Sequence, residues 1–338
     1  MKRRILVLGA GGLVGHAVVE ALSRADWAFP IVASHRRRVT GSPAAGPVLD
    51  ACDEAALSRA MENVDAVVNC VAGDARTITG TAQALATVAT RQVLEPRVIH
   101  LSSMAVYGSA VGVVDESAPL KGDIGAYSIA KIQAERSALA YGHTVILRPG
   151  CIYGPTSSQW SLRIARCLIR GRLGELRADG AGYCNLIYID DLAAVILRAL
   201  TCPAIEGQTF NLATSGTTTW NQYFEQFAEA LGLGGGSSLT REQLWLEMRC
   251  LAPLLKIAEL VARQLLSPSS VGRIPPALPP SLFRLFRQRI RLDTGKAERI
   301  LALAPTPVHE ALRATAASMR ELEASALQRP ASGRQGQR

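Results

Sequence analysis

A tyrosine and a lysine four residues apart are the pair in this sequence best suited to proton transfer. Tyr127 and Lys131 stand at the start of a predicted helix that runs to about Ala140. Side chains four residues apart share one face of a helix, so we expect the two to be neighbours. A nearby ammonium stabilises a phenolate and lowers the pKa of the tyrosine. The phenol would then exchange a proton with a substrate oxygen near neutral pH.

Two hydroxyl residues upstream are predicted to face the same site. Ser102 and Ser103 directly follow the apolar run 97–101, which reads as a buried strand. Open α/β sheets bind their ligands at the carboxyl ends of the strands. The sequence therefore places these serines beside the tyrosine–lysine pair.

A glycine-rich turn at the start of the chain predicts a dinucleotide site. Gly9, Gly12 and Gly15 lie between the apolar run 5–8 and a helical pattern that begins at Leu13. A turn without side chains lets a pyrophosphate approach the backbone, and the N–H groups and positive end of the following helix attract it. Because the turn joins a predicted strand to a predicted helix, the signal is much stronger than a glycine pattern alone.

The residues after the second predicted strand bear on the choice between NAD and NADP. In dinucleotide folds an acidic residue about twenty positions after the glycine turn binds the adenosine ribose hydroxyls. This chain has Ser34, His35 and Arg36 there. Cations favour a 2′-phosphate and no carboxylate repels it, so NADP is the expected cofactor, with NAD possible.

Strands and helices alternate through the first half of the chain. Predicted strands at 5–8, 29–34, 65–73 and 97–101 are interleaved with predicted helices such as 53–62 and 79–94. This alternation predicts an α/β fold with a Rossmann-type, doubly wound parallel sheet and a smaller, mainly helical C-terminal substrate lobe. We expect the dinucleotide domain to span 1–155, completed by about 186–214. The substrate lobe would take 156–185 and 215–327, and 328–338 would be a disordered tail.

Composition excludes several classes of protein. The 338 residues carry a net charge of +9, but the arginines are spread along the chain, so we expect no nucleic-acid partner and a small-molecule substrate. No apolar run reaches the roughly 18 to 20 residues of a membrane span. The seven cysteines are scattered without a C-x-x-C pair. We therefore expect no metal site and a reducing cytoplasmic location.

Taken together, the motifs resemble those of a known superfamily. They are Gly9-x-x-Gly12-x-x-Gly15, Ser102-Ser103-x-x-Val106-Tyr107-Gly108, Tyr127-x-x-x-Lys131, Arg148-Pro149-Gly150-x-Ile152-Tyr153-Gly154-Pro155, Tyr188-Ile189-Asp190-Asp191, Asn211-Leu212-Ala213 and Asp293-x-x-Lys296-Ala297. Over about residues 3–315 the chain resembles the extended short-chain dehydrogenases/reductases, which include the NAD(P)-dependent sugar epimerase/dehydratase family. These motifs are specific for the superfamily and much less so for a substrate.

The resemblance implies roles for individual residues. Tyr127 would be the general acid/base, Lys131 would lower its pKa and hold the nicotinamide ribose, and Ser103 would hydrogen-bond the reacting oxygen. The residues expected to contact the cofactor are Gly9, Gly11, Gly12, Leu13, Val14, Gly15, Ser34, His35, Arg36, Asp50, Ala72, Lys131, Pro149 and Gly150. The residues expected to contact the substrate are Met104, Tyr153, Asn185 and Arg284. The family also suggests a homodimer.

The resemblance narrows the reaction without fixing it. Relatives that dehydrate sugars carry an Asp-Glu pair after the active-site hydroxyl residue, whereas this chain has Met104-Ala105, so dehydration is disfavoured. Hydride transfer at a carbonyl or secondary alcohol remains, either once, as in a reductase, or out and back, as in a 4-epimerase. An NADP-type pocket favours net reduction.

Three functions stay open at this point. A nucleotide-activated sugar is the leading substrate, although Cys184-Asn185 stands where nucleotide-sugar enzymes often have an Arg-Asp pair. The apolar segment 242–266 instead resembles that of relatives of the 3β-hydroxysteroid dehydrogenases and would suit a lipid, terpenoid or polyketide. A non-catalytic NADP-binding sensor is disfavoured because such proteins usually lose the tyrosine or the lysine.

Overall fold

The structure is a computed structural model that describes residues 2–35, 45–234 and 278–328, together with isolated positions at 249, 251, 254, 255, 257 and 261. The strands are β1 (Arg3–Leu8), β2 (Ala28–Ser34), β3 (Ala45–Val48), β4 (Ala66–Asn69), β5 (Arg97–Leu101), β6 (Gly112–Val114), β7 (Thr144–Pro149), β8 (Cys151–Tyr153), β9 (Leu186–Tyr188), β10 (Thr209–Leu212) and β11 (Ile290–Leu292). The helices are α1 (Leu13–Arg24), α2 (Glu54–Ala60), α3 (Ala75–Ala89), α4 (Ala126–Leu139), α5 (Arg163–Ile169), α6 (Ile189–Thr201), α7 (Trp220–Leu231), α8 (Pro280–Phe286), α9 (Gly295–Leu301) and α10 (Val308–Gln328).

Seven parallel strands form the central sheet, in the order β10-β7-β5-β4-β1-β2-β3. From β1 the chain builds outward through β2 and β3, and then returns to add β4 on the other side of β1. The predicted doubly wound parallel sheet is thus confirmed. In such sheets the ligand crevice opens where the winding reverses, at the carboxyl ends of β1 and β4.

The sheet is covered on both faces, which explains why its strands are almost wholly apolar. Ile5 and Val7 of β1 lie in one core cluster with residues of α1 and α6. Leu6 and Leu8 point the other way, into a cluster with residues of α2 and α3. Successive side chains of a strand face opposite sides, so a strand buried on both faces needs an unbroken apolar run.

The described residues divide into two compact units. The first lies within Met1–Ile152, Gly182–Thr218 and Gln288–Thr306, and the second within Tyr153–Ala181, Thr219–Arg287 and Pro307–Arg338. Helices α5, α7, α8 and α10 belong to the second unit. Its core includes a cluster of rings in which Trp220 contacts Phe224 and Phe286. Among the described helices, none is long and apolar enough to cross a membrane.

One part of the expected substrate lobe belongs to the first unit instead. Residues 288–306 were expected within the lobe segment 215–327, but β11 pairs in parallel with β6. Lys296 Nζ also donates to the backbone oxygen of Thr209, at 2.9 Å. A three-residue pairing between distant parts of the chain leaves no periodic signal in the sequence.

Two predictions concern segments outside the described residues. Apart from isolated positions, the apolar segment 242–266 is not described, and neither is the tail after Gln328, so the substrate role of the first and the disorder of the second stay predictions.

Candidate functional site

The glycine turn brings α1 against β1 with no room for side chains. Gly9 has a φ of +74°, and a Cβ there would lie 3.0 Å from the backbone carbon and oxygen of Cys70, which follows β4. A Cβ on Gly15 would lie 2.3 Å from the backbone oxygen of Gly9. The turn closes with a 2.9 Å hydrogen bond from the Gly12 N–H to that same oxygen. These positions require glycine because the neighbouring atoms are backbone.

The start of α1 is suited to an anion. Gly12 is its N-cap, and no side chain in the described part of the chain caps the helix there. Leu13 and Val14 are half-buried first-turn residues, and Gly11 is exposed at the tip of the turn. The first-turn N–H groups and the positive end of a twelve-residue helix are the features that bind pyrophosphate in dinucleotide folds. The residues present therefore fit a dinucleotide.

The residues predicted to hold the adenosine half are only partly described. Ser34 is the last residue of β2 and is half-buried, His35 is exposed, and Arg36 lies outside the described residues. Asp50 is exposed, and its Oδ1 accepts a 2.9 Å hydrogen bond from the Cys52 N–H. Ala72 is exposed in the turn that follows β4.

Ser103 and Tyr127 lie close enough for the serine to influence the tyrosine. Ser103 is the N-cap of a short 3₁₀ helix, Met104–Tyr107, and its Oγ accepts from the Ala105 N–H at 3.2 Å. Tyr127 lies in the first turn of α4, with 48% of its surface exposed. Desolvation raises the pKa of Tyr127 above its ordinary value, a side-chain hydrogen bond with Ser103 lowers it, and Cys151 raises it. The net shift is upward.

Lys131 lies beneath the tyrosine with its ammonium bound to the sheet. Its side chain is buried, Nζ donates to the backbone oxygen of Leu101 at 2.7 Å, and Nζ lies 6.0 Å from the centroid of the Tyr127 ring. Burial lowers the pKa of Lys131 to about 8, against opposing effects from Cys70 and Glu135. The lowering of the Tyr127 pKa by this lysine stays a prediction, because the net shift of that pKa is upward. The Lys131 ammonium donates a hydrogen bond to a strand-end carbonyl, and desolvation is the largest influence on the Tyr127 pKa.

The tyrosine–lysine pair and the glycine turn lie at the same edge of the sheet. Lys131 reaches the end of β5 at Leu101, and its charge acts on Cys70 at the end of β4. Cys70 in turn contacts the turn at Gly9. This is the edge at which the winding of the sheet reverses, the place where such folds bind their ligands.

Asn185 has a packing role instead of the predicted substrate contact. It is 7% exposed with a φ of +39°, its Nδ2 donates to the Ile290 oxygen at 2.8 Å, and its Oδ1 accepts from the Leu292 N–H at 2.9 Å. Both polar ends of the amide are thus occupied by β11.

The two residues predicted to lie beside the nicotinamide are at the end of β7. Pro149 ends that strand, and the N–H of Gly150 donates to the Leu212 oxygen at 2.9 Å.

Two further substrate predictions are corrected by burial. Met104 is 7% exposed and packs in an apolar cluster with Val106 and Tyr107. Tyr153 is fully buried, with its ring edge-on to that of Tyr223 at 6.0 Å between centroids. Arg284 is exposed on α8 in the second unit, where its predicted substrate contact stays a prediction.

The sequence did not reveal a buried polar network behind the site. Arg148 forms an ion pair with Glu135 inside the first unit. The sequence motif that contains Arg148 assigns it no role. The available signal was the spacing, because Glu135 follows Lys131 by four residues and therefore shares its helix face.

Comparisons with solved structures show the same fold. A UDP-glucuronic acid 4-epimerase from Bacillus cereus, in complex with UDP-glucuronic acid and NAD, matches with 18% identity and a TM-score of 0.70 over 94% of this chain and 99% of that chain. A UDP-glucose 4-epimerase from Thermotoga maritima, with UDP-glucose, matches with 21% identity and a TM-score of 0.70 over 95% of this chain and 99% of that chain. A UDP-N-acetylglucosamine 4-epimerase from Bacillus cereus matches with 17% identity and a TM-score of 0.67 over 94% of this chain and 100% of that chain.

Sequence comparison identifies the family. No curated protein matches the sequence. The family model described as the NAD dependent epimerase/dehydratase family matches residues 5–213, which is more than half of the chain. The chain therefore belongs to the NAD dependent epimerase/dehydratase family, among the extended short-chain dehydrogenases/reductases.

Proposed function

We propose that the protein is an NAD(P)-dependent oxidoreductase or epimerase that transfers a hydride at a carbonyl or secondary alcohol of a nucleotide-activated sugar. The observation that carries this proposal is Tyr127 beside Lys131, with Nζ 6.0 Å from the centroid of the tyrosine ring and bonded to the strand end at Leu101, at the sheet edge that holds the glycine turn. A proton donor, a cation and an anion-binding turn at one edge are what such chemistry requires.

The turn and the strand ends would hold the cofactor, which supplies the hydride donor and acceptor when bound. The Gly9–Gly15 turn would bind its pyrophosphate, Lys131 its nicotinamide ribose, and Pro149-Gly150 would lie beside the nicotinamide. We propose NADP as the preferred form. The support is the lack of a carboxyl group at Ser34 and His35, where NAD binders use one to hold the ribose hydroxyls.

Tyr127 would handle the proton. The Tyr127 hydroxyl is protonated at neutral pH, because even the ordinary pKa of a tyrosine lies well above 7, and it would donate to an oxygen that gains negative charge during carbonyl reduction. Ser103 would hydrogen-bond the same oxygen and fix its position. The ammonium of Lys131 would stabilise the phenolate that remains, and the reverse direction would use the phenolate as the base.

The choice of a nucleotide sugar is supported by the neighbours of like fold, some of which hold UDP-glucuronic acid or UDP-glucose. A hydrophobic carbonyl substrate, as in 3β-hydroxysteroid dehydrogenase-like enzymes, is the second candidate. One observation favours it. Cys184 Sγ contacts the Thr218 oxygen at 3.1 Å and the Asn185 amide is occupied by β11, so neither side chain takes the place of a diphosphate-binding arginine.

A thermal-shift panel tests the substrate class. With NADP present, we expect UDP-sugars to raise the melting temperature of the protein, because a ligand that binds only the folded state stabilises it. Stabilisation by apolar ketones alone would instead support the hydrophobic substrate. Stabilisation by the cofactor with no effect of either ligand group, and no turnover of either, would favour the sensor.

Net turnover separates the two reaction types. A reductase consumes one reduced cofactor per product, whereas a 4-epimerase changes the sugar with no net change in the cofactor. Dehydration stays disfavoured because Met104-Ala105 offers no carboxyl group after Ser103. Measuring cofactor absorbance and sugar products in the same reaction assigns the class.

We further propose a homodimer in a reducing cytoplasm. The support for the compartment is that the six cysteines in the described ranges are all free thiols. The support for the dimer is the family resemblance, together with exposed apolar side chains on α4, Ile129 and Leu139. Light scattering after size-exclusion chromatography measures the oligomeric state.

A further inference from the structure

A buried guanidinium connects several parts of the site. Arg148, in β7, and Glu135, in α4, are 5% and 2% exposed at their side chains. Nε and Nη2 of Arg148 donate to the two carboxylate oxygens of Glu135 at 2.9 and 2.7 Å. This two-pronged geometry is the strongest form of the arginine–carboxylate pair and fixes the relative orientation of its partners.

The remaining nitrogen of Arg148 reaches two more segments. Nη1 donates to the Tyr107 hydroxyl at 2.8 Å and to the Glu116 backbone oxygen at 3.2 Å. The Tyr107 hydroxyl donates onward to Asn211 Oδ1 at 2.6 Å. One side chain of β7 therefore joins α4, the 3₁₀ helix Met104–Tyr107 and β10.

Two of these segments, α4 and the 3₁₀ helix, carry parts of the proposed reaction centre. Glu135 lies one helical turn after Lys131 and two turns after Tyr127. Tyr107 ends the short helix whose N-cap is Ser103. Ser103 and Tyr127 come from different segments of the chain, and the Arg148 network is buried between those segments.

We propose that Arg148 is a positioning residue of the reaction centre, and that through Glu135 and Tyr107 it fixes Ser103 relative to Tyr127 and Lys131. This inference rests on the proposed function for its meaning in catalysis. A buried ion pair is often no more stabilising than apolar residues of the same size, so its stabilising effect alone does not account for it. Specifying the relative position of two segments is the role that its geometry supports.

The informative variant is Tyr107→Phe. Replacing Arg148 itself would leave the Glu135 carboxylate buried without its partner, and loss of folding would dominate. Tyr107→Phe keeps the ring and removes only the hydroxyl between Arg148 and Asn211. Tyr141→Phe is the matched control, because the Tyr141 hydroxyl is a buried donor to the Pro96 oxygen at 2.9 Å, outside this network.

The readout is the titration of Tyr127 in the full-length protein. Each variant is labelled with 3-fluorotyrosine, and the Tyr127 resonance is assigned by its loss in Tyr127→Phe. The groups that act on the Tyr127 pKa are Ser103 and Cys151, and Lys131 Nζ faces the Tyr127 ring at 6.0 Å. The Ser103 hydrogen bond lowers the pKa of Tyr127, so loosening Ser103 should raise that pKa.

We expect Tyr107→Phe to raise the Tyr127 pKa by about half a unit and Tyr141→Phe to leave it unchanged. Both variants should melt at lower temperature, because Tyr107→Phe loses two buried hydrogen bonds and Tyr141→Phe loses one. No shift in Tyr107→Phe, or the same shift in both variants, would overturn the positioning role. The titration needs no turnover. A protein that shows the shift but binds no nicotinamide cofactor would contradict the proposed function and leave the positioning intact.

Discussion

Replacing Gly15 by alanine should disrupt the packing of α1 on β1. The new Cβ would lie 2.3 Å from the Gly9 oxygen and 2.7 Å from the Ala10 Cα, about 1 Å short of ordinary contact. Both obstacles are backbone, so the helix must shift. Overpacking of this kind costs about 3 kcal/mol at the upper end, and the better helix propensity of alanine returns about 1 kcal/mol. For a chain of 338 residues, a net loss of ~2 kcal/mol corresponds to a fall in melting temperature of roughly 3 °C.

Gly11→Ala is the matched control for stability. A Cβ at Gly11 would meet no atom within 4 Å in the described part of the chain, and its φ is not in the left-handed region. Calorimetry without cofactor should therefore find Gly11→Ala near the wild-type melting temperature and Gly15→Ala well below it. Cofactor affinity of Gly15→Ala should fall as well, because the shifted helix carries the anion-binding N–H groups. Equal stability of the two variants would refute the role given to this close approach.

Two further predictions concern the cofactor. Because burial lowers the pKa of Lys131 to about 8, this lysine loses its charge above that pH, and the affinity for NADPH should weaken progressively in a fluorescence titration from neutral to alkaline pH. Lys131→Met should abolish that pH dependence, and an unchanged profile would contradict the contact between Lys131 and the cofactor. Ser34→Asp should shift the preference from NADP to NAD, since a carboxylate repels a 2′-phosphate and accepts from ribose hydroxyls. Comparing the dissociation constants of NAD and NADP checks this, and tighter binding of NAD by the wild-type protein would contradict the NADP preference assigned to residues 34–36.

Features encoded by neighbouring residues were predictable from the sequence. The apolar run before the glycine turn became β1. The apolar residues of Trp220–Leu231 recur with helical spacing, and this segment forms α7. The second case has strong local signals, with a Thr219–Gln222 capping box at one end and left-handed Gly232 at the other. Helix α3 begins at Ala75, earlier than the predicted residue 79, because Asp74 caps it by accepting from the Thr77 N–H.

Features that depend on contacts between distant residues were not predictable. The pairing of β6 with β11 and the bonding of Asn185 to β11 join residues more than 100 positions apart. The upward shift of the Tyr127 pKa has the same origin. Spacing predicts that Lys131 is near, but desolvation depends on the whole surroundings of the hydroxyl.

Tyr127→Phe tests the central claim most directly, because it removes the proton donor and keeps the ring. With the substrate from the thermal-shift panel, turnover should fall about 100- to 10,000-fold, the usual contribution of a general acid or base. The dissociation constant for NADPH should stay close to the wild-type value. Turnover at the wild-type rate with normal cofactor binding would show that Tyr127 does not carry the proton.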